Sequence, residues 1–530
     1  MKTSTPALLP ESVDVLIIGN GPVGASMAAM LGRYGVQTLV VDKVHDVLLM
    51  PRAIALDNEA LRILQLAGLA EDAFDKVVIP EVRMHCPIMG QFGRANTSGS
   101  LDGHPKLVTF YQPDLERAMR QQGDTFAHVQ RQGGVELLEL KQDNEGVSAQ
   151  LRLDDGRQQT VRARYLVGAD GASSRVRSLI GLDFKGSTYA EDWLIVDAKG
   201  REGLAIDHVE FLCDYRRPTP HMPAPGGRER WEFMLRPGET REQMEDDNRI
   251  AALLQPWIAA DQLNIERKAV YRFHARCCER FQNGRVFLIG DAAHITPPFV
   301  GQGLVAGLRD AANLSWKLAW VLQGRATAQI LDSYDQERRP HARDMIALAK
   351  LMGRLVMPSN APTAILVHGL MRAMRLIPPL RRHFEELDIK PKNIFKHGLF
   401  VAHRRDQRLR RGGLFPQGLV RHPNGRIELS DDVLGDGLVL VGLGVDPRTK
   451  LSTQLQAQWQ AMGGRYLQVG LHGQKADDSV PFVEDIGQYL LNGALKPSVA
   501  VVRPDRIVMH SGAPDRANEV IRSSMSLLQR

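Results

Sequence analysis

Val286-Phe287-Leu288-Ile289-Gly290-Asp291-Ala292-Ala293-His294, continued by Pro297-Pro298-Phe299-Val300-Gly301-Gln302-Gly303, is the stretch on which the reading of this 530-residue chain turns. The apolar run reads as a buried strand, Asp291 stands at its end, and two prolines stiffen the exit. Gly301 and Gly303 lead into a helix expected to begin near Leu304, whose first backbone N–H groups lack partners and form an anion site beside the carboxylate. Such a corner suits a ligand that offers hydroxyls to the acid and delocalised negative charge to the helix. Gly-Asp alone is equally compatible with an ordinary strand-turn-helix corner, so the rest of the chain has to complete the ligand.

The first ninety residues supply a second piece. Val13 to Ile18 is apolar and ends in Gly19-Asn20-Gly21-Pro22-Val23-Gly24; a helical pattern covers Ala25 to Tyr34, and a second strand, Gln37 to Val41, is closed by Asp42. This is the G-x-G-x-x-G order of a dinucleotide fold, with glycines for a tight turn, close approach to a pyrophosphate and close helix packing. Asp42 stands where a carboxylate grips a ribose. Pro51-Arg52-Ala53-Ile54-Ala55-Leu56-Asp57 then enters a helix, with Asp57 expected inside its first turns. Arg52 at the mouth fits phosphate contact as well as it fits a surface ion pair.

Val77 to Leu107 loses any period and reads as a loop-rich excursion, after which Pro113 starts a helix running to about Phe126. Alternation near Val135–Leu140, Val147–Leu153 and Gln159–Val161 reads as a meander added to the main sheet. Tyr165-Leu166-Val167-Gly168-Ala169-Asp170-Gly171, followed by Ser174 and Arg177, delivers another acid and glycine to a turn before a helix. Two acid-bearing strand ends and a dinucleotide loop imply one extended ligand across the carboxyl edge of a single sheet.

The glycine fingerprint, the Asp170-Gly171-x-x-Ser174-x-x-Arg177 element and the Gly290-Asp291-Ala292-Ala293-His294 element, in this order, resemble the group A flavoprotein monooxygenases of the p-hydroxybenzoate hydroxylase fold, over residues 13 to about 355. Pro51-Arg52-Ala53, Arg230-Trp231-Glu232-Phe233-Met234-Leu235-x-Pro237-Gly238-Glu239, Asp310-Ala311-Ala312-Asn313-Leu314-Ser315-Trp316-Lys317-Leu318 and Ser333-Tyr334-x-x-Glu337-Arg338 are similar to the 3-(3-hydroxyphenyl)propionate hydroxylases. The resemblance implies an α/β chain: a Rossmann-like FAD-binding domain (1–185 and 275–360), an inserted β-sheet substrate domain (186–274), a helical connector (361–409) and a C-terminal thioredoxin-like domain (410–530).

It further implies FAD held by Gly19, Gly21, Pro22, Val23, Gly24, Asp42, Lys43, Arg52, Gln112, Leu115, Asp170, Gly171, Gly290, Asp291, Pro298, Gly301, Gly303, Leu304 and Val305. Asp291 would take the ribitol, and the backbone of Leu304 and Val305 the flavin O2 edge. Many relatives carry asparagine where this chain has Val305, so a side-chain amide role is absent there. Arg52 is the candidate for the reductive half-reaction, and Pro297 and Pro298 for holding the loop that faces oxygen. The implied reaction is hydroxylation of a phenolic aromatic compound through a flavin hydroperoxide, with NADH or NADPH as transient co-substrate and O2 as oxidant. The alternatives are a same-fold monooxygenase acting on a larger polycyclic or heteroaromatic metabolite, and a non-hydroxylating FAD-binding redox protein. A related halogenase should show Trp-x-Trp-x-Ile-Pro, which Trp316-x-x-x-Trp320 does not match.

Within the lid, strand-like runs (Trp193–Ala198, His208–Leu212, Trp231–Leu235) are broken by Pro218-x-Pro220-x-x-Pro223-x-Pro225, and His208, Phe211, Arg216 and His221 are the substrate-pocket candidates. Ala361 to Leu387 reads as amphipathic and interrupted by Pro378-Pro379. Beyond residue 410 the alternating segments and a final helix at Ala517–Leu528 contain no cysteine. That domain therefore cannot perform dithiol chemistry, and oligomerisation, as a homodimer, or scaffolding is its expected use.

The bounds agree. At roughly 150 residues per domain the length suggests about three. A chain with 43% hydrophobic and 24% charged residues has an ordinary globular composition. Its 67 Lys+Arg against 61 Asp+Glu leave +6, a mild bias that favours anionic small ligands over nucleic acid. The densest basic run, His403 to Arg411, lacks interleaved aromatics and reads as a solvated loop. No apolar run reaches the ~18 residues of a membrane span. Cys86, Cys213, Cys277 and Cys278 show no metal-ligand spacing, so no metal is expected. Free thiols and the lack of a signal-peptide pattern point to the cytoplasm.

Overall fold

The computed structural model describes residues 8–200, 206–258, 263–386, 390–402, 409–471, 473–474, 480–491 and 496–529. Residues 1–7 and most of the basic run, 403–408, lie outside the described residues. Among the described residues no helix is long and apolar enough to cross a membrane.

The first sheet is built on four parallel strands whose register fixes everything at their ends. In Ser12–Ile18, Ile18 lies beside Val41 of Thr38–Asp42 on one side and beside Gly168 of Gln158–Gly168 on the other, and Gly168 lies beside Leu288 of Val286–Leu288. Gly19, Asp42, Asp170 and Asp291 therefore all leave the sheet at one edge. These strands are near-continuous apolar runs because helices cover the parallel region; Val15, Leu16 and Ile17 have no exposed surface. The meander exists, but its third segment is continuous with the strand that ends at Gly168. Residues 158–163 of that strand pair antiparallel with Val147–Leu153, and residues 162–168 pair parallel with Ser12–Ile18.

Two helices pack on this sheet, Pro22–Arg33 and Gly303–Leu322. At Gly307 a Cβ would stand 2.6 Å from a Val23 methyl carbon and 3.1 Å from Gly290 Cα, so glycine lets the long helix press onto the acid-bearing turn.

The second sheet runs, in order, through His294–Ile295, Leu263–Cys278, Phe184–Gly200, Arg228–Met234, Thr219–Ala224, Val209–Leu212, Glu81–Cys86 and Gly90–Asn96. Two expectations fail here. The stretch Val77–Leu107 is not a loop: Glu81–Cys86 and Gly90–Asn96 form a hairpin that widens this sheet. Its glycines and outward charges, with Arg83 and Arg94 paired to Glu81, mask the alternation. The proline-rich segment is itself a strand, Thr219–Ala224, lying inside the sheet. Proline normally avoids such positions because it cannot donate to the ladder.

The connector is two helices broken at its prolines: Ala361–Met374 ends before them, and Pro378 opens Pro378–Glu385. The third sheet carries a parallel pair, Val439–Leu443 and Arg465–Gly470, around the helix Thr453–Ala461. An antiparallel pair, Ser498–Val502 and Val508–Gly512, and the helix Ala517–Leu528 follow. This β-α-β plus β-β-α order is a thioredoxin-like arrangement.

The third unit is not a loose appendage. Trp316 and Trp320 of the long helix share a core with Leu438, Leu440, Trp459, Val499 and Met509. Beside that core, Glu337 accepts from Arg503 at 2.7 and 2.9 Å, from Lys317 at 2.8 Å and from Asn313 at 2.6 Å, and Arg503 also pairs with Asp505. Glu337, Lys317 and Arg503 are at most 1% exposed. Burial lowers the Lys317 ammonium to about 8, with Glu337 opposing. Removing one member of such a cluster leaves a buried charge uncompensated, at a cost of about 3–5 kcal/mol. Arg503→Ala should therefore lower the unfolding free energy by about that amount in a denaturant titration. A midpoint unchanged from the parent would show that the C-terminal unit does not clamp the long helix.

Candidate functional site

The edge where the strands end opens into a cavity of ≈ 1470 Å³ that runs between the first and second sheets. Its first end is shaped by the glycine loop. Gly19 has φ +103°, and a Cβ there would stand 2.4 Å from the Ala169 carbonyl oxygen; at Gly24 a Cβ would stand 2.0 Å from the Gly19 carbonyl oxygen. At Gly21, by contrast, a Cβ would meet nothing within 4 Å. The turn is therefore closed on the protein side and open on the cavity side, at a helix N-terminus with no side-chain cap. Asp42 is held by the Asn20 N–H at 2.6 Å and the Val44 N–H at 3.0 Å. Arg120 donates to the Asn20 carbonyl and pairs with Glu116, and both line this end.

The middle is framed by the two acid-bearing turns. Asp170 accepts from Ser174 Oγ at 2.5 Å and from the Val176 N–H at 3.0 Å, and Ser174 caps the following helix. Arg177 donates to the carbonyls of Ala172 and Ala292. The Asp-Gly-x-x-Ser-x-x-Arg element thus ties the 170 turn to the 291 turn. Burial raises the Asp170 carboxyl, against the hydrogen bonds from Ser174 and Val176. Burial raises Asp291 too, with the nearby charges of Arg52 and His294 pulling the other way.

The 291 turn is fixed from behind by Asp310, which accepts from the Gly290 N–H at 3.0 Å, from His294 at 2.6 Å and from Arg338 at 2.9 Å. Burial alone would raise Asp310; His294 and Arg338 outweigh it and hold its carboxyl below the usual range. His294 is a brace, buried away from the cavity lining.

At the far end, Pro297 to Gly301 curls into a single 3-10 turn closed by Gly301 at φ +62°, and the long helix begins at Gly303. Gln302 pins this loop by donating to Asp57 and accepting from Arg309. Asp57 is the N-cap of Asn58–Leu66, not an interior residue; it also accepts from Arg309 and Lys390, which hold its carboxyl low against the effect of burial.

Most expected residues meet at this cavity. Gly19, Gly21, Pro22, Val23, Asp42 and Lys43 line its first end, Arg52, Gln112, Asp170, Gly171 and Asp291 its middle, and Pro297, Pro298, Gly301, Gly303 and Leu304 its far end. Gly24, Leu115, Gly290 and Val305 do not line it; Leu115 and Val305 are core residues, and the two glycines act through close packing. Gln112 accepts from the N–H groups of Arg52 and Ala53, both at 2.8 Å, so it shapes the Arg52 segment.

Of the four pocket candidates only Phe211 lines the cavity. His221 is stacked on Trp231 and paired with Glu229 on the opposite face, His208 bonds to Asp207, and Arg216 pairs with Asp214 at the surface. Ile195, Met222, Glu232, Tyr271 and Phe273 form the wall instead. Their positions follow from strand alternation, a signal that marks two faces in the sequence without saying which one meets the cavity.

The residues present fit FAD. An open glycine turn at one helix N-terminus, a braced carboxylate beside it, two buried acids in the middle and an uncapped helix N-terminus at the far end match its pyrophosphate, ribose, ribitol and anionic ring in order.

The chain belongs to the family described as an FAD binding domain, which matches residues 12–349, and an HcaD C-terminal domain matches residues 412–527. It is an FAD-dependent aromatic monooxygenase. It is 36% identical over 515 residues to a 3-(3-hydroxy-phenyl)propionate/3-hydroxycinnamic acid hydroxylase of Burkholderia cenocepacia, covering 93% of each chain. It is 32% identical to the enzyme of that name from Comamonas testosteroni, covering 98% of this chain and 97% of the relative. In fold it is similar to the flavin-dependent monooxygenase PieE, with TM-score 0.79 and 22% identity over 98% of this chain and 99% of that one. Aklavinone-11 hydroxylase matches with TM-score 0.76 and 23% identity over 98% and 100%.

Asp291→Ala should retain the fold and weaken FAD binding on the order of ten- to a hundredfold, the worth of one charge-assisted hydrogen bond. Equilibrium dialysis against FAD measures this, and an affinity equal to the parent's would remove Asp291 from the ligand set.

Proposed function

We propose that this monooxygenase hydroxylates a phenolic ring bearing a short carboxylated side chain, of the 3-(3-hydroxyphenyl)propionate or 3-hydroxycinnamate type, with NADH or NADPH as a transient hydride donor. The observation that carries this reading is the 32–36% identity over nearly the whole chain to hydroxylases of those names. The chemistry that bound FAD supplies is hydride acceptance followed by activation of O2 for electrophilic hydroxyl transfer.

The chain's own residues orient and exclude water. Phe299 of the proline loop packs edge-on against Trp193 at 6.0 Å and Phe273 at 6.1 Å, closing the seam between loop and second sheet with apolar rings. A dry seam protects a reactive oxygen species from water. The uncapped N-terminus at Gly303 and Leu304 favours negative charge on the reduced ring. Air-saturated assays of 3-(3-hydroxyphenyl)propionate, 3-hydroxycinnamate and larger phenols should show stimulated nicotinamide oxidation and a hydroxylated product with the first two. Turnover confined to the larger phenols would contradict the assignment.

Arg52 is the residue we place in electron entry. Its backbone is fixed on both sides, by Gln112 at its N–H and by Arg230 at its carbonyl at 2.9 Å. Its side chain is exposed at the cavity and has no ion-pair partner among the described residues, which counts against a surface salt bridge. Arg52→Ala should keep FAD and slow anaerobic flavin reduction by either nicotinamide about ten- to a hundredfold, on the scale of one charge-assisted contact. Rapid mixing reads this rate, and an unchanged rate would return Arg52 to a purely structural role.

A further inference from the structure

The strand Arg228–Met234 alternates across the second sheet. Trp231 and Phe233 are buried on the outer face, where both approach Trp257. Arg230 and Glu232 take the face toward the cavity. Arg230 is fully engaged, donating to Asp197 at 2.6 and 2.9 Å and to the carbonyls of Arg52 and Pro51. Arg267, from Leu263–Cys278, donates to the same Asp197 at 3.0 Å and to the Tyr271 hydroxyl at 2.8 Å.

Glu232 is left over. It is 8% exposed, stands opposite Ile195 in the ladder and lines the cavity among Ile195, Phe211, Met222 and Tyr271. Neither of its oxygens has a hydrogen-bond partner among the described residues, and the side chain faces the cavity. The cations that act on it, Arg230 and Arg267, are already paired with Asp197, so no described residue completes this carboxyl. A ligand that brings an O–H donor to the apolar wall does.

We propose that Glu232 is the proton acceptor for the ring hydroxyl of the substrate. The assignment deepens the phenol reading above and rests on it. The phenol O–H bond breaks, an O–H bond forms on Glu232, and the electron pair stays on the ring oxygen, which makes the ring a better partner for an electrophilic hydroxyl. After transfer, the ring carbon sheds its own proton to solvent and the ring oxygen takes its proton back from Glu232, which returns to carboxylate. No further oxidant or reductant enters this step.

Burial raises the Glu232 carboxyl above the usual range, Arg230 opposes, Asp197 adds to the rise, and Arg267 opposes. A phenol loses its proton near ~10, so a raised carboxyl narrows the gap that the transfer must cross. The groups facing Glu232 are Arg230 on its own strand, Asp197 from Phe184–Gly200, and Arg267 and Tyr271 from Leu263–Cys278; Thr219–Ala224 contributes the apolar Pro220 and Met222. Glu232 acts as a carboxylate, so activity is present above its raised pKa and is lost as pH falls through it.

The test uses FAD-loaded parent, Glu232→Gln and Glu232→Asp, with FAD content matched. The probes are 3-(3-hydroxyphenyl)propionate, phenol and resorcinol, with 3-phenylpropionate as the hydroxyl-free control. Ultraviolet difference spectra without nicotinamide report whether the bound phenol is ionised, and the pH profile of kcat/KM reports the base. In the parent, a phenolate band should appear with a phenol and not with 3-phenylpropionate, and kcat/KM should show an acid limb. In Glu232→Gln the band and the acid limb should vanish and kcat should fall on the order of 100-fold or more, while Glu232→Asp restores the limb. A Glu232→Gln enzyme that keeps both band and limb would overturn the assignment while leaving the phenol reading intact. A parent enzyme that binds none of the three phenols would overturn the phenol reading and Glu232 with it.

Discussion

The carboxylate of Asp310, buried on the long helix Gly303–Leu322, accepts from the Gly290 N–H, from His294 and from Arg338. One side chain thereby ties together the strand end that carries Asp291, the two-residue strand His294–Ile295 that begins the second sheet, and the helix Asp332–Val356. The positions of the acid, of the proline loop and of the second sheet's edge are therefore one constraint. A charge buried this deeply is tolerable only while its partners are in place, so the turn has a single well-defined arrangement. Gly307 reinforces it, because a larger residue there would push the helix off Gly290.

A second set of contacts links the sheets across the cavity. Arg230 reaches from the second sheet to the carbonyls of Pro51 and Arg52, and Arg177 joins the two acid turns. These long bonds hold the two acid turns, the Arg52 segment and the second-sheet wall of the cavity in one frame. The C-terminal unit adds its own clamp through Arg503 and Glu337, so its position in the chain after all the flavin elements does not make it dispensable to them.

How much is legible in the sequence follows from what kind of signal each feature leaves. Gly19, Gly21, Gly24, Asp42, Asp170 and Asp291 are readable because a strand end, a glycine and an acid form a local pattern, and the parallel register then brings them to one edge. The bracing roles of Asp310, Arg177 and Gln302 are not readable, because their partners lie far along the chain and hydrogen bonds of that kind leave no periodicity. The strand through Pro220 and Pro223 defeats a sound local rule because its neighbours on both sides override it. His208, Arg216 and His221 are attractive by chemistry alone, yet the alternation that sends His221 to the outer face brings Glu232 to the cavity.

The most direct measurement of this account is the joint effect of Asp310→Asn on FAD affinity and on stability. An asparagine keeps the shape and one acceptor oxygen but removes the charge opposite His294 and Arg338, at an expected cost of about 3–5 kcal/mol. The account predicts that the thermal midpoint and the FAD affinity fall together, because the brace and the ligand turn are one unit. Full FAD affinity in a destabilised variant, or an unchanged midpoint, would contradict it.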